Sequence, residues 1–175
     1  KAYITGYTGT LPDVVVPAVI DGYPVYAIEN LRSPILTHVV VSEGIEEIGE
    51  FAFMHYLNRD EEYYVNNLVS VSLPQSLKVI SDWGFSGQEN LQEITFGGVE
   101  QIGRGAFSGC SKLTQITLPD TLTTIEWKAF EYSGLTSLTI PVNVSFIRDT
   151  SFIENCSSLT TLRVAEGNPY YEMED

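Results

Sequence analysis

Cysteine is nearly absent from this 175-residue chain, with only Cys110 and Cys156. Two are too few for a disulfide scaffold or a cysteine-based zinc site. Histidine is as scarce: His38 and His55 are the only two, and neither has a second ligand four residues away, so no HExxH-type metal helix exists. Basic residues are also few, 9 Lys and Arg against 23 Asp and Glu, for a formal charge of −14. Such a surface repels phosphate backbones and anionic lipid, which argues against nucleic acid and membrane surfaces as partners. The same acidity also serves plain solubility. No run of about 18 apolar residues occurs, so no membrane-spanning helix is expected. Gly103-Arg104-Gly105-Ala106-Phe107 has glycines but lacks the Gly-Lys-Ser/Thr of a phosphate loop, and the acidic stretch around Asp60 lacks the alternating ligands and Gly of a calcium loop. No catalytic residue and no metal or cofactor site is therefore expected.

The chain has an ordinary apolar fraction of 43% and enough length for one domain with a real core. It also has a repeat. "LTQITLPDTLTTIEWKAF", Leu113 to Phe130, recurs as copies that begin at Leu36, Leu68, Leu91 and Leu135, with a half-copy, "LTTLRV", at Leu159. From Leu68 onward the leading Leu advances by 23, 22, 22 and 24 residues. In every full copy an Ile precedes a Phe by five residues: Ile48 and Phe53, Ile80 and Phe85, Ile102 and Phe107, Ile125 and Phe130, Ile147 and Phe152. The residue before that Phe is always small: Ala52, Gly84, Ala106, Ala129 or Ser151.

The periods within a copy predict its shape. Ile116 and Leu118 share one face of an extended strand, leaving Gln115 and Thr117 on the other. Pro119 ends the strand because it has no amide donor. Leu122 and Ile125 turn inward, and the Ala-Phe segment fits one helical or 3-10 turn. One copy covers only one side of its own core, so burial requires the next copy to stack on it, as in a solenoid. Each Leu, Ile or Phe so buried is worth roughly 1.5–3 kcal/mol. Cys110 and Cys156 fall at matching positions two rungs apart. At about 4.8 Å per rung they lie about 10 Å apart, beyond the reach of about 7 Å for a disulfide. Both read as small buried apolar residues.

The pattern LxxIxLPxxLxxIxxxAFxxCxxL resembles the BspA-like class of leucine-rich repeats, found in bacterial cell-surface proteins. The resemblance extends to Val16-Pro17 and Gly22-Tyr23-Pro24-Val25 in an atypical first repeat, and to Asn168-Pro169-Tyr170-Tyr171 near the end. It implies an α/β solenoid: a right-handed leucine-rich repeat coil with one parallel β-sheet face. About six to seven rungs of 22–24 residues are expected, mostly β with short turns or 3-10 segments. The whole of 1–175 reads as one domain: an atypical repeat at 1–33, a repeat at 34–66 with a loop inserted at 54–66, regular repeats at 67–158, and an incomplete repeat at 159–175.

Candidate ligand-binding residues fall in two places. The outward strand positions make one column of His38, Ser70, Glu93, Gln115, Ser137 and Thr161, and a second of Val40, Ser72, Thr95, Thr117, Thr139 and Arg163. Hydroxyl residues there suit an exposed strand in any case, being β-branched or small and polar. They equally suit a flat face for protein contact, and the lack of aromatic residues weighs against sugar stacking. The inserted loop carries Tyr56, Asp60, Tyr63 and Tyr64; it reads either as a tolerated surface loop or as a contact loop with aromatic anchors. Trp83 and Trp127 read as half-buried packing on the turn side.

The resemblance implies a non-catalytic protein-interaction module of a bacterial surface or secreted protein. An unidentified protein partner follows, host extracellular matrix or another bacterial surface protein, since some members of the family act as adhesins. A structural spacer or stalk is the alternative, and a glycan-binding module the third. The chain opens at Lys1 without a leader pattern, so either the protein is cytosolic or a signal peptide has been removed; the resemblance favours removal and an extracellular or cell-surface location. Uncovered solenoid ends would allow end-to-end self-association.

Overall fold

The computed structural model describes residues 2–54 and 67–172. In chain order the strands are β1 (Ala2–Ile4), β2 (Asp13–Val16), β3 (Val19–Ile20), β4 (Tyr23–Ile28), β5 (His38–Val41), β6 (Glu47–Ile48) and β7 (Ser70–Ser72). They continue as β8 (Val79–Ile80), β9 (Glu93–Thr95), β10 (Gln101–Ile102), β11 (Thr124–Ile125), β12 (Ser137–Ile140), β13 (Phe146–Ile147) and β14 (Thr161–Val164). Together they wind a parallel-strand solenoid of about six turns.

Most turns of the solenoid contribute to two ladders. The expected broad face is built from β2, β5, β7 and β9, paired in parallel in that order, and further along from β12 paired with β14. Burial alternates along these strands as the residue period requires: in β5, Val39 and Val41 are buried while His38 and Val40 are exposed. The second ladder lies along the return side of each coil, in the order β1-β4-β6-β8-β10-β11-β13. Its members are mostly two residues long, and the repeat Ile of each sits in register with the next: Ile48 with Ile80, Ile80 with Ile102, Ile102 with Ile125. Two residues are too short to show a period, which is why the repeat pattern pointed to one sheet only.

Between the ladders lies a column of phenylalanines. Phe53, Phe85, Phe107 and Phe130 stack face to face, with ring centroids 4.8, 5.4 and 5.5 Å apart and planes within 12° of parallel. Phe96 meets Phe107 edge-on at 5.6 Å. The small residue before each stacked Phe is buried, as at Ala52, Ala106 and Ala129, and leaves room for the adjoining coil. Ile28, Ile48, Leu77, Ile80, Leu91, Leu113 and Leu122 fill the rest of the core.

The helical or 3-10 turn expected before each Phe forms only once, at Thr150–Ile153, where the Asp149 side chain accepts from the Ser151 N–H as an N-cap. Elsewhere the residue two before the Phe adopts a left-handed conformation: Phe51 at φ 58°, Trp83 at 58°, Gly105 at 57° and Lys128 at 57°. A positive φ interrupts a helix and turns alternate N–H groups along the stacking axis. These groups donate to the next coil, from Phe53 to Gly84 O, Phe85 to Ala106 O and Phe107 to Ala129 O, each at 2.8 Å. The turns thus carry a third line of coil-to-coil hydrogen bonds.

Three further features depart from the sequence reading or extend it. The first repeat contains an antiparallel β3–β4 hairpin whose two turn residues, Asp21 and Gly22, have φ of 52° and 83°; Asp-Gly is the dipeptide that such a turn favours. The rung expected at Gln115–Leu118 keeps the alternating burial of a strand but joins no ladder, so the broad sheet is interrupted between β9 and β12. The break follows the coil in which Phe96-Gly97-Gly98 replaces Leu-Pro, with Gly97 at φ 54° packed against the Pro74 carbonyl. Cys156, expected to be buried like Cys110, is only partly covered, because the coil it belongs to packs less completely. Both thiols are free. Of the inserted loop at 54–66, residues 55–66 lie outside the described residues.

Candidate functional site

The register of the broad sheet builds the two outward columns directly. His38 pairs with Ser70 and Ser70 with Glu93, while Val40 pairs with Ser72 and Ser72 with Thr95. Beyond the interruption, Ser137 pairs with Thr161 and Thr139 with Arg163. Gln115 and Thr117 stand exposed between the two groups, outside any ladder. Side chains link neighbouring rungs: His38 Nδ1 lies 2.7 Å from Ser70 Oγ, and Thr95 Oγ1 donates to Ser72 Oγ at 3.1 Å. An open groove follows this face from His38 and Val40 past Ser70, Glu93 and Thr95 to Thr117 and Ser137.

The columns extend one rung further than the repeated positions in the sequence indicate. β2 pairs with β5 so that Asp13 lies beside His38 and Val15 beside Val40. A signal for this existed, since Val14-Val15-Val16-Pro17 has the same run-then-stop pattern as a regular strand, but its spacing to the next copy is irregular. The loop candidates Tyr56, Asp60, Tyr63 and Tyr64, together with His55, lie outside the described residues.

Elsewhere the polar groups hold coils together. The backbone N–H groups of Gln75 and Ser76 donate to the Glu43 carboxylate at 2.9 and 3.0 Å and hold its pKa below the ordinary 4.5. Hydrogen bonds from the Ser151 hydroxyl and N–H do the same for Asp149, below 3.8. Burial pushes the Cys110 thiol up to about 12, and its Sγ donates to Phe85 O at 3.4 Å, so it is a packing residue without thiolate character. Cys156 Sγ repeats the contact on Phe130 O at 3.0 Å.

The return-side ladder carries ion pairs between coils: Lys78 with Glu100 at 2.7 Å, Arg104 with Asp82 at 3.8 Å and Arg148 with Glu126 at 3.9 Å. Exposed pairs of this kind contribute little stability. On the turn side, Trp127 and Trp83 are half-buried as expected. Lys128 Nζ lies 4.8 Å from the Trp127 ring centroid, and Arg104 lies 5.8 Å from it. The Trp83 ring lies across Gly105, where a Cβ would enter its van der Waals shell. Among the described residues, no three His, Cys, Asp or Glu side chains gather as a metal site would require. None of the described helices is long and apolar enough to cross a membrane.

Several solved structures share this architecture. A leucine rich repeat protein of T. pallidum is 29% identical, with a TM-score of 0.78 over 93% of this chain and 77% of that one. A leucine-rich repeat protein from Bacteroides ovatus is 26% identical, with a TM-score of 0.64 over 73% of this chain. A leucine rich cell surface protein from Faecalibacterium prausnitzii is 27% identical, with a TM-score of 0.56 over 93% of this chain. The chain spans 33% of the length of the Bacteroides protein and 50% of the Faecalibacterium protein. None of the curated proteins is significantly similar to it. Residues 29–160 match the BspA type leucine rich repeat region in six copies, and the chain belongs to that family.

Proposed function

We propose that the chain is a non-catalytic protein-interaction module displayed at a bacterial cell surface, with the outward columns of the broad sheet as its contact face. The observation that carries this reading is the register itself. The coils of β2, β5, β7 and β9, and again those of β12 and β14, present two side chains each outward in aligned columns, and an open groove follows most of this face. Repeat proteins use such extended faces for binding because each coil adds the same pair of positions. A surface location is supported by the similarity to a protein described as a leucine rich cell surface protein. Adhesion to a host extracellular protein is the finer form of the proposal. A spacer role is the second reading, favoured by the unbroken Phe53–Phe130 stack, which makes a stiff rod whatever the sheet does. Sugar stacking is not supported at the columns, which hold no aromatic residue.

Surface-immobilised extracellular-matrix proteins titrated with the chain separate these readings. Binding is expected, and a Ser72→Arg, Thr95→Arg, Thr139→Arg variant should bind about tenfold or more weakly, as when a central contact region is blocked. Equal binding by the variant removes the sheet as the contact face. No binding at all leaves the spacer.

A further inference from the structure

Most outward positions of the broad sheet are hydroxyls, but its first two rungs differ. Val15 is 66% exposed and Val40 45% exposed, and they are paired in register, so their side chains form a continuous apolar ridge at the spacing of one rung, about 4.8 Å. A single exposed valine needs no explanation. Two stacked at the head of a column that continues as Ser72 and Thr95 mark a change in the chemistry of the face. Leu11, 65% exposed, leads into β2, and its backbone is clamped by the Tyr7 hydroxyl, which accepts from Leu11 N–H at 3.1 Å and donates to Leu11 O at 3.0 Å.

The outward strand positions around the ridge carry charge of one sign, and the cation of the groove, Lys112, belongs to the coil after β9 and donates to Asn90 Oδ1 at 2.7 Å. The outward positions of the four-stranded sheet include two carboxylates, Asp13 and Glu93, and no Lys or Arg. Thr37 Oγ1 donates to Asp13 Oδ1 at 2.9 Å and fixes that carboxylate beside the ridge. The single outward cation on the paired strands is Arg163, at the opposite end of the face on β14. An apolar centre with an acidic border is complementary to an apolar centre with a basic border.

We propose that the Val15–Val40 ridge is the anchor of the contact face, and that it takes a protein segment whose apolar side chains are flanked by Lys or Arg. This rests on the reading of the broad sheet as an interaction face. The acidic border steers such a segment to the ridge, and burial of the valines then holds it.

A displayed library of random peptides selected on the immobilised chain, in parallel with a Val15→Lys, Val40→Lys variant, tests the proposal. Peptides enriched on the native chain alone should carry aliphatic or aromatic residues next to Lys or Arg. Their affinity should fall about tenfold or more for Val15→Thr, Val40→Thr, which keeps the β-branched strand shape, and should lose most of its salt dependence for Asp13→Asn, Glu93→Gln. A Glu126→Gln change on the return-side ladder should leave it unaltered. If the enriched peptides are acidic, or respond only to substitutions at Thr95, Thr117 and Thr139, the ridge is not the anchor although the face still binds. If no peptide is enriched on the native chain, both the ridge and the interaction face are overturned.

Discussion

Phe107 is in contact with Phe85 on one face, Phe130 on the other and Phe96 at its edge, and none of its surface reaches solvent. Removing it opens a cavity that no neighbour can fill, because each adjoining ring is held by its own coil. Phe107→Ala should therefore cost about 3–5 kcal/mol, read as a shift in the urea midpoint. A cost below about 1 kcal/mol would mean that the ring is not part of a continuous stack. This much was legible in the residues, since the five-residue step from Ile to Phe recurs and names the core position in each copy. The left-handed conformation two residues before the Phe was not. Phe51, Trp83, Gly105 and Lys128 share it while having no chemistry in common, so the conformation is imposed by the hydrogen bonds between turns and leaves no residue signature.

At the scale of the element, short strands and turns are joined by side-chain caps more than by their own length. Glu43 receives two backbone N–H groups from the following coil, and Asp149 caps the 3-10 turn at Thr150–Ile153. Both carboxyls titrate lower in the folded chain than in the unfolded one. Their contribution is therefore complete above the ordinary carboxylate range and is lost as the pH falls through the folded values. Urea midpoints measured downward from about pH 5 should decline, and Glu43→Gln should flatten that decline while lowering stability at neutral pH. An unchanged acid profile in the variant would show that Glu43 does not link the two coils. The broad strands were legible from their alternation, and the columns they present followed from copying two positions through each repeat. The two-residue ladder was not legible, because a single Thr-Ile or Gln-Ile pair carries no period. The interruption at Gln115–Leu118 was hidden for the opposite reason: its own sequence is the most regular of all, and the departure lies one coil earlier, at Gly97 and Gly98.

The whole molecule is a column in which every coil is stabilised by the coils beside it, and its outward face is assembled by that stacking. Asp13 and Val15 belong to the face only because β2 pairs with β5, a long-range fact that the irregular first repeat does not announce. The same dependence means that a change in coil register would displace every outward residue together. Amide hydrogen exchange read by NMR tests this most directly. Slow amides should recur once per coil, at Phe53, Phe85, Phe107 and Phe130 and along β5, β7 and β12. The amides of Ile116 and Thr117, which join no ladder, should exchange faster than those of Val71 and Leu138. Protection running continuously through the segments before each Phe, as in a helix, or protection without a repeat of 22–24 residues from Phe85 onward, would contradict the stacked-coil account.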